Sequence, residues 1–145
     1  MSRPHASSLL RGAVLASLSV PALLLAGCAG LAPDTVAAGT TAMAFEAAVA
    51  AADGATACAA LTPRAAQAVV DAVEGAGSCA EAIVTLDLAE ATGAPRAEAY
   101  GQAAIVELEG DTVFLAASGD GWRVRAAGCT ISGEDLPLDC VIDGS

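Results

Sequence analysis

A chain of 145 residues is long enough for one domain and too short for a second hydrophobic core. Two Phe, one Tyr and one Trp are its only aromatic residues, so Ala and Val must supply most of the core and covalent crosslinks should be needed to stabilise it. After Cys28 there are four arginines, no lysine, no histidine and 17 acidic residues. The resulting net charge of −13 repels phosphates, so we expect no nucleic-acid binding.

The first 27 residues have the order of parts found in a bacterial signal peptide. Arg3 and Arg11 give a positively charged start, and the run from Gly12 to Ala26 carries no charge. This run is shorter than the roughly 20 apolar residues that span a membrane. It ends in Leu25-Ala26-Gly27-Cys28, which matches the bacterial lipobox. We therefore predict a lipoprotein signal peptide over residues 1–27.

Cys28 is the predicted site of lipidation. The small residues Ala26 and Gly27 allow the chain to enter a signal peptidase, and the Cys28 thiol can accept a diacylglyceryl group. Two acyl chains, palmitate-like in length, suffice for stable anchoring. Residues 28–39 are expected to form the lipidated cysteine and a flexible tether, which places the protein on the extracytoplasmic face of the cell membrane. The alternatives are an uncleaved anchor or an ordinary secretory signal.

Four cysteines follow the anchor: Cys58, Cys79, Cys129 and Cys140. An even number in a small exported domain indicates disulfides, with three connectivities open. Zinc sites and redox pairs usually show C-x₂-C spacing, which is absent, so we predict no metal and no cofactor. We expect local pairing, with Cys58–Cys79 joining two helices and Cys129–Cys140 closing a loop between strands.

The folded domain is predicted to occupy residues 40–145 and to begin with helices. A cap at Thr40 or Thr41 starts the first, Thr62 followed by Pro63 starts another, and Ser78 with Glu81 forms a capping box. The predicted helical segments are 40–52, 58–61, 63–74 and 79–88, and the sequence Gly93-Ala94-Pro95 is expected to break the chain before the strands.

After this break the apolar residues alternate with a period of two, which is typical of strands. Strands are predicted at 98–102, 104–109, 112–117, 122–127 and 139–142. In the fourth of these, Trp122, Val124 and Ala126 should share a face opposite Arg123 and Arg125. Helices followed by short-turn strands predict an α+β domain, with N-terminal helices packed on an antiparallel sheet.

Two stretches, Gly110-Asp111-Thr112-Val113-Phe114-Leu115 and Gly121-Trp122-Arg123-Val124, complete a pattern that resembles the NTF2-like (cystatin-like, SnoaL-like) superfamily. More narrowly, the chain is similar to uncharacterised actinobacterial lipoproteins that carry such a domain. The resemblance covers residues 40–142 and implies a curved sheet that forms a cone with the helices. The superfamily includes isomerases, cyclases, dehydratases, ligand carriers and inactive interaction domains. Its sheets often dimerise, which makes a homodimer an expectation here.

Enzymes of this superfamily use Asp, His or Tyr groups inside the cone. The chain has no histidine after His5, and Tyr100 is its single tyrosine. Asp87 is expected to be solvated, and Asp111 is explained by the turn in which it lies. No catalytic residue is therefore carried over from the superfamily.

Three residues are candidates for ligand or partner contact. Trp122 is either a core residue or a stacking platform for a ligand. Arg123 and Arg125 either form cross-strand charge pairs with Glu107 and Glu109 or make a small basic site for an anionic ligand or a partner's carboxylates.

These observations predict a membrane-anchored, non-catalytic binding or protein-interaction module with an envelope protein as partner. The alternative is an NTF2-like pocketed enzyme of isomerase or hydrolase type, or a small-molecule carrier. That alternative requires a deep pocket containing an ionisable side chain of perturbed pKa. A cone filled by Trp122, Phe114 and Leu115 would exclude it.

Overall fold

The computed structural model describes residues 34–131 and 138–145, and within them the chain forms four helices followed by a five-stranded sheet. The predicted signal peptide, with its predicted lipobox and lipidation site at Cys28, lies outside the described residues. The α+β class predicted from the sequence is confirmed. The elements are α1 (Thr35–Ala50), α2 (Gly54–Ala60), α3 (Pro63–Ala72), α4 (Cys79–Ile83), β1 (Thr92–Tyr100), β2 (Ala103–Glu109), β3 (Thr112–Ser118), β4 (Gly121–Ile131) and β5 (Leu138–Asp143).

The sheet is an antiparallel meander with the strand order β1-β2-β3-β4-β5. Each strand pairs with its neighbour in the chain, as the short predicted turns require. Among the described helices, none is long and apolar enough to cross a membrane.

Each helix begins directly after a capping residue, but α1 and α2 begin earlier than predicted. Thr62 caps α3 and Ser78 caps α4 as predicted, and Asp53 caps α2, which begins at Gly54 and not at Cys58. The first helix begins at Thr35 and not at Thr40 or Thr41. Its cap is Asp34, whose carboxylate accepts a hydrogen bond from the Ala37 N–H at 2.9 Å, so the helix includes residues that were expected in the tether.

The last helix is shorter and the first strand longer than predicted. The helix α4 ends at Ile83, and residues 84–91 form a connecting segment where a helix was expected to reach Leu88. The strand β1 already begins at Thr92 and includes Pro95, which was expected in a break. Proline is tolerated there because β1 is an edge strand, and the register shifts between Thr92 and Arg96.

A β-bulge interrupts the predicted alternation in β4. Val124 pairs with Leu115, but the register shifts and Ala126 pairs with the adjacent Phe114. The expectation that Ala126 continues the face of Trp122 and Val124 is therefore wrong, because the bulge adds one residue to β4.

The helices pack against the sheet over a core of small and medium side chains. The helix α1 contacts β1 to β4, and α3 contacts β4 and β5. The largest fully buried side chains are Phe45, Ile83, Leu115, Ile142, Val69, Val106, Val113 and Val124. Between α2 and α4 the backbones come very close, since a Cβ at Gly54 would lie 2.1 Å from the Ala80 carbonyl oxygen.

Both disulfides pair as predicted. Cys58–Cys79 joins α2 to α4 across 21 residues, and Cys129–Cys140 joins β4 to β5 across 11. Closing loops of these lengths should stabilise the fold by about 3 kcal/mol each. Two such bonds indicate an oxidising, extracellular type of environment.

Candidate functional site

A cleft opens between the C-terminal half of α1, the end of α4 and the segment that leads into β1. Its volume is about 320 Å³, at the small end of the range for ligand pockets. We call it the Glu46 cleft, and its lining consists of Glu46, Val49, Ala50, Ile83, Val84, Leu86, Leu88, Ala89, Glu90 and Ala91.

Glu46 lies on the buried side of α1, although it is ionisable. Ala42 and Phe45 on the same helix are fully buried, and Glu46 itself is 6 % exposed. Its Oε1 is buried and has no hydrogen-bond partner among the described residues. A buried carboxyl oxygen without a partner is energetically costly, so its presence beside a cleft needs an explanation.

Asp111 is the second buried carboxyl, and it is 5 % exposed. Its Oδ2 accepts a hydrogen bond from the Gly128 N–H at 2.9 Å, and its Oδ1 accepts one from the Cys129 N–H at 2.8 Å. These two bonds tie the β2–β3 turn to β4. Both oxygens of Asp111 therefore have backbone N–H donors, whereas the Oε1 of Glu46 has none.

Gly128 adopts the backbone conformation that this arrangement requires. Its φ is +67°, and a Cβ there would lie 2.8 Å from side-chain atoms of Leu88 and Val141. Only glycine fits this position without strain. Leu88 also lines the cleft, so Gly128, which donates a hydrogen bond to Asp111, lies directly against the cleft wall.

The environment of Glu46 favours its neutral form. Burial first, and then the negative charge of Asp111 and a hydrogen bond with it, together raise the pKa of Glu46 to about 8. Glu46 therefore keeps its proton at neutral pH. The pair can act as a proton donor, or as a negatively charged site if a cation replaces the proton.

The cleft does not have the ligands of a metal site. Among the described residues no group of three His, Cys, Asp or Glu side chains is placed to hold a metal ion. The described cysteines are all in disulfides.

A larger groove of about 530 Å³ lies between α1 and β1. Its lining consists of Thr35, Val36, Gly39, Thr40, Met43, Pro95 and Ala97. None of these side chains is ionisable, so the groove offers little for specific recognition. The Glu46 cleft is the better candidate because ionisable and apolar groups meet there.

Trp122 has a structural role in this fold. Its ring is half-buried against the core, and its Nε1 donates a hydrogen bond to the Asp34 carbonyl oxygen at 3.0 Å. Leu115 lies in the core, but Phe114 is half-buried and outside the core cluster. The three residues do not fill the Glu46 cleft.

The arginines Arg123 and Arg125 do not pair with Glu107 and Glu109. The strand β3 lies between β2 and β4, so that cross-strand pairing is wrong. Arg123 donates hydrogen bonds to the Ala59 carbonyl oxygen and to the Asp120 carboxylate.

Two acidic residues near these arginines also have other partners. The partner of Glu107 is Arg96 on β1, at 3.0 Å. Hydrogen bonds from Ser145 lower the pKa of Asp143, and the charge of Arg125 lowers it by a smaller amount.

Two other residues considered from the sequence are solvent-exposed. Asp87 is exposed, as expected. Tyr100 is 63 % exposed and donates a hydrogen bond to Glu98, which raises its pKa. Neither lies in the Glu46 cleft.

Sequence reasoning missed Glu46, although the sequence carried a signal. Glu46 is the single charged residue between Asp34 and Asp53, in a helix of Ala, Val, Thr and other uncharged residues. It lies four residues after Ala42 and three before Val49, which is helical spacing for one face. The role of Asp111 beyond its turn could not be seen from the sequence, because its partners are 17 and 18 residues away.

Comparison with known proteins identifies no matching family model, no similar curated protein and no similar solved structure.

Proposed function

We propose that this protein is a membrane-anchored extracytoplasmic lipoprotein whose domain is a non-catalytic binding module, with a small ligand held in the Glu46 cleft. The observation that carries the proposal is the buried, unpartnered Oε1 of Glu46 beside a cleft of about 320 Å³. Apolar walls with a few placed polar groups are typical of small-molecule sites.

Two features support the location. The sequence Leu25-Ala26-Gly27-Cys28 follows an uncharged run of signal-peptide length, and the folded domain contains two disulfides. Asp34, where the described chain begins, lies only six residues after Cys28, so a lipid on Cys28 would hold α1 close to the membrane.

The NTF2-like assignment is part of the proposal. Its support is the element order of helices followed by a five-stranded antiparallel meander, together with the hairpin between β3 and β4. In that assignment the sheet and α1 form the cone, and the Glu46 cleft opens beside it.

Catalysis by Glu46 is the second candidate function. A carboxyl that keeps its proton at neutral pH is suited to act as a general acid, and burial raises the pKa of Glu46 to about 8. We favour binding because the other ionisable side chain in the cleft lining is the exposed Glu90. Among the described residues, no hydroxyl, thiol or imidazole side chain lines the cleft.

Native mass spectrometry of the protein, extracted gently from its own membrane, tests the proposal. We expect a retained mass of a few hundred daltons beyond the lipid anchor, and its loss in Glu46→Gln. The matched control is Asp87→Asn, which alters an exposed acid outside the cleft lining. A bare protein would contradict small-ligand binding, and a copurifying polypeptide in its place would assign the domain to protein interaction.

A further inference from the structure

The described polar side chains that line the Glu46 cleft are both acidic. Glu46 and the exposed Glu90 are the ionisable residues in its lining, and the carboxylate of Asp111 lies behind Glu46. None of the described arginines lines it, and the sequence contains no lysine. Acidic side chains in the lining, with Asp111 next to Glu46, favour a cation over an anion as ligand.

The other side chains in the lining are hydrocarbon. Ile83 is 1 % exposed, and Val49, Leu86 and Leu88 are half-buried around the opening. A ligand that fits these surroundings has an apolar body and one polar head. When the apolar body of the ligand covers these side chains, it removes their surface from water, which favours binding.

Two kinds of cation could pair with the carboxyls of the cleft: a metal ion or an organic ammonium group. The described residues provide no group of three ligating side chains, so a metal ion would be poorly held. An ammonium group needs only one or two acceptors, and it donates the hydrogen bond that Oε1 of Glu46 lacks. Because the Oε1 atom of Glu46 is buried, the carboxyl group must rotate toward the cleft before Oε1 can accept this hydrogen bond.

We propose that the Glu46 cleft binds a small organic cation with an apolar body, its ammonium group against Glu46 and its hydrocarbon against Val49, Ile83 and Leu86. This inference rests on the proposed function and specifies its ligand class. The net charge of −13 after Cys28 would draw such cations toward the domain.

Binding should release one proton. Neutral Glu46 gives its proton to solvent, and the carboxylate that remains forms an ion pair with the ammonium, so charge is conserved. Protons therefore compete with the ligand, and binding should tighten as pH rises. The charged groups near Glu46 are Asp111 and Glu90. An alkylammonium resembles a Lys side chain, whose pKa is about 10.4, so the ligand itself keeps its charge as the pH rises through about 8.

The test uses three probes with the same hydrocarbon chain and different heads: hexylammonium, hexanol and hexanoate. Binding to the detergent-solubilised full chain is measured by calorimetry at about pH 6 and about pH 8.5, with proton release determined from buffers of different ionisation enthalpy. We expect hexylammonium to bind, at least tenfold more tightly at the higher pH, and hexanoate not to bind.

Variants separate the groups involved. Glu46→Gln keeps the shape of the side chain and should weaken hexylammonium binding at about pH 8.5 by tenfold or more and remove its pH dependence. Glu90→Gln alters an exposed residue, cannot disturb the core, and should weaken binding about threefold. Asp87→Asn should change nothing.

Two results would overturn the inference and leave the proposed function standing. The first is hexanol binding as tightly as hexylammonium, which would make the site apolar and not cationic. The second is no binding of any probe while native mass spectrometry shows a retained ligand. Hexylammonium affinity unchanged in both Glu46→Gln and Glu90→Gln would place the cation elsewhere and also overturn it.

Discussion

Glu46 and Asp111 are two buried carboxyls with different hydrogen-bond surroundings. Both are about 5 % exposed, but only Asp111 has backbone N–H donors on both oxygens. The Oε1 of Glu46 has no donor among the described residues, so nothing there stabilises a charge and Glu46 keeps its proton at neutral pH. The pKa of Glu46 is raised to about 8 by burial first and by Asp111 second.

This raised pKa predicts that the protein loses stability as the pH rises. Between about pH 4.5 and pH 8 the folded state holds a proton on Glu46 that the unfolded state releases, so the free energy of unfolding falls through this range. The loss should reach up to about 4 kcal/mol at pH 8, at 1.36 kcal/mol per pH unit. Chemical denaturation of wild type and Glu46→Gln from pH 5 to pH 9 measures it.

The variant Glu46→Gln should have a nearly flat profile over that range, since no histidine follows His5 and the described cysteines are in disulfides. Asp53, Asp120 and Asp143 have lowered pKa values, so their contribution to stability is lost only in acid, below their ordinary value of 3.8. Equal slopes in wild type and variant would contradict the assignment.

At the scale of the elements, the cleft exists because α4 ends early and α1 passes close to it. Residues 84–91 leave the helical path after Ile83, and their side chains form the wall opposite Glu46. The position of α4 is fixed by the Cys58–Cys79 disulfide and by the close approach of Gly54 to the Ala80 carbonyl.

Gly54→Ala should disrupt this packing. Its Cβ would overlap the backbone of α4, which must move, so we expect a loss of about 2 kcal/mol or more in the free energy of unfolding. Gly119→Ala is the matched control because a Cβ there meets no atom within 4 Å and the change should stay within about 0.5 kcal/mol. Similar denaturation midpoints for the two variants would show that α2 and α4 are not in close contact.

The sequence predicted the elements better than their ends. Thr62-Pro63, Ser78 with Glu81, the turns at Gly110 and Gly119, and both disulfide pairs were read correctly because each depends on local chemistry. The bulge beside Ala126 and the early end of α4 depend on tertiary packing, which no short window shows. The candidate site was missed because it joins residues from α1, the segment 84–91 and the β2–β3 turn.

At the scale of the whole molecule, acidity and anchoring act together. The chain after Cys28 is strongly acidic, so anionic headgroups would repel it, and any attachment to a membrane would have to come from hydrophobic insertion. The proposed lipid on Cys28 supplies it and leaves the domain free to capture cations from solution.

Cys28→Ala should therefore remove the protein from the membrane fraction or leave the precursor uncleaved. Without a thiol there is no acceptor for the diacylglyceryl group, and the remaining chain lacks a described helix able to span a bilayer. Fractionation followed by intact-mass measurement checks this, with Cys58→Ser/Cys79→Ser as a control that keeps the lipobox. A Cys28→Ala protein that is still cleaved and still membrane-bound would refute lipidation at this residue.

The most direct test of the account is the titration of Glu46 itself. Carbon-13 NMR of the side-chain carboxyl, assigned by comparison with Glu46→Gln, follows its protonation from about pH 4 to pH 10. The account predicts a midpoint near pH 8, because burial and Asp111 raise the pKa of Glu46 to about 8. A midpoint near 4.5, the ordinary value for glutamate, would mean that the carboxyl is solvated and would contradict a proton-holding site in this cleft.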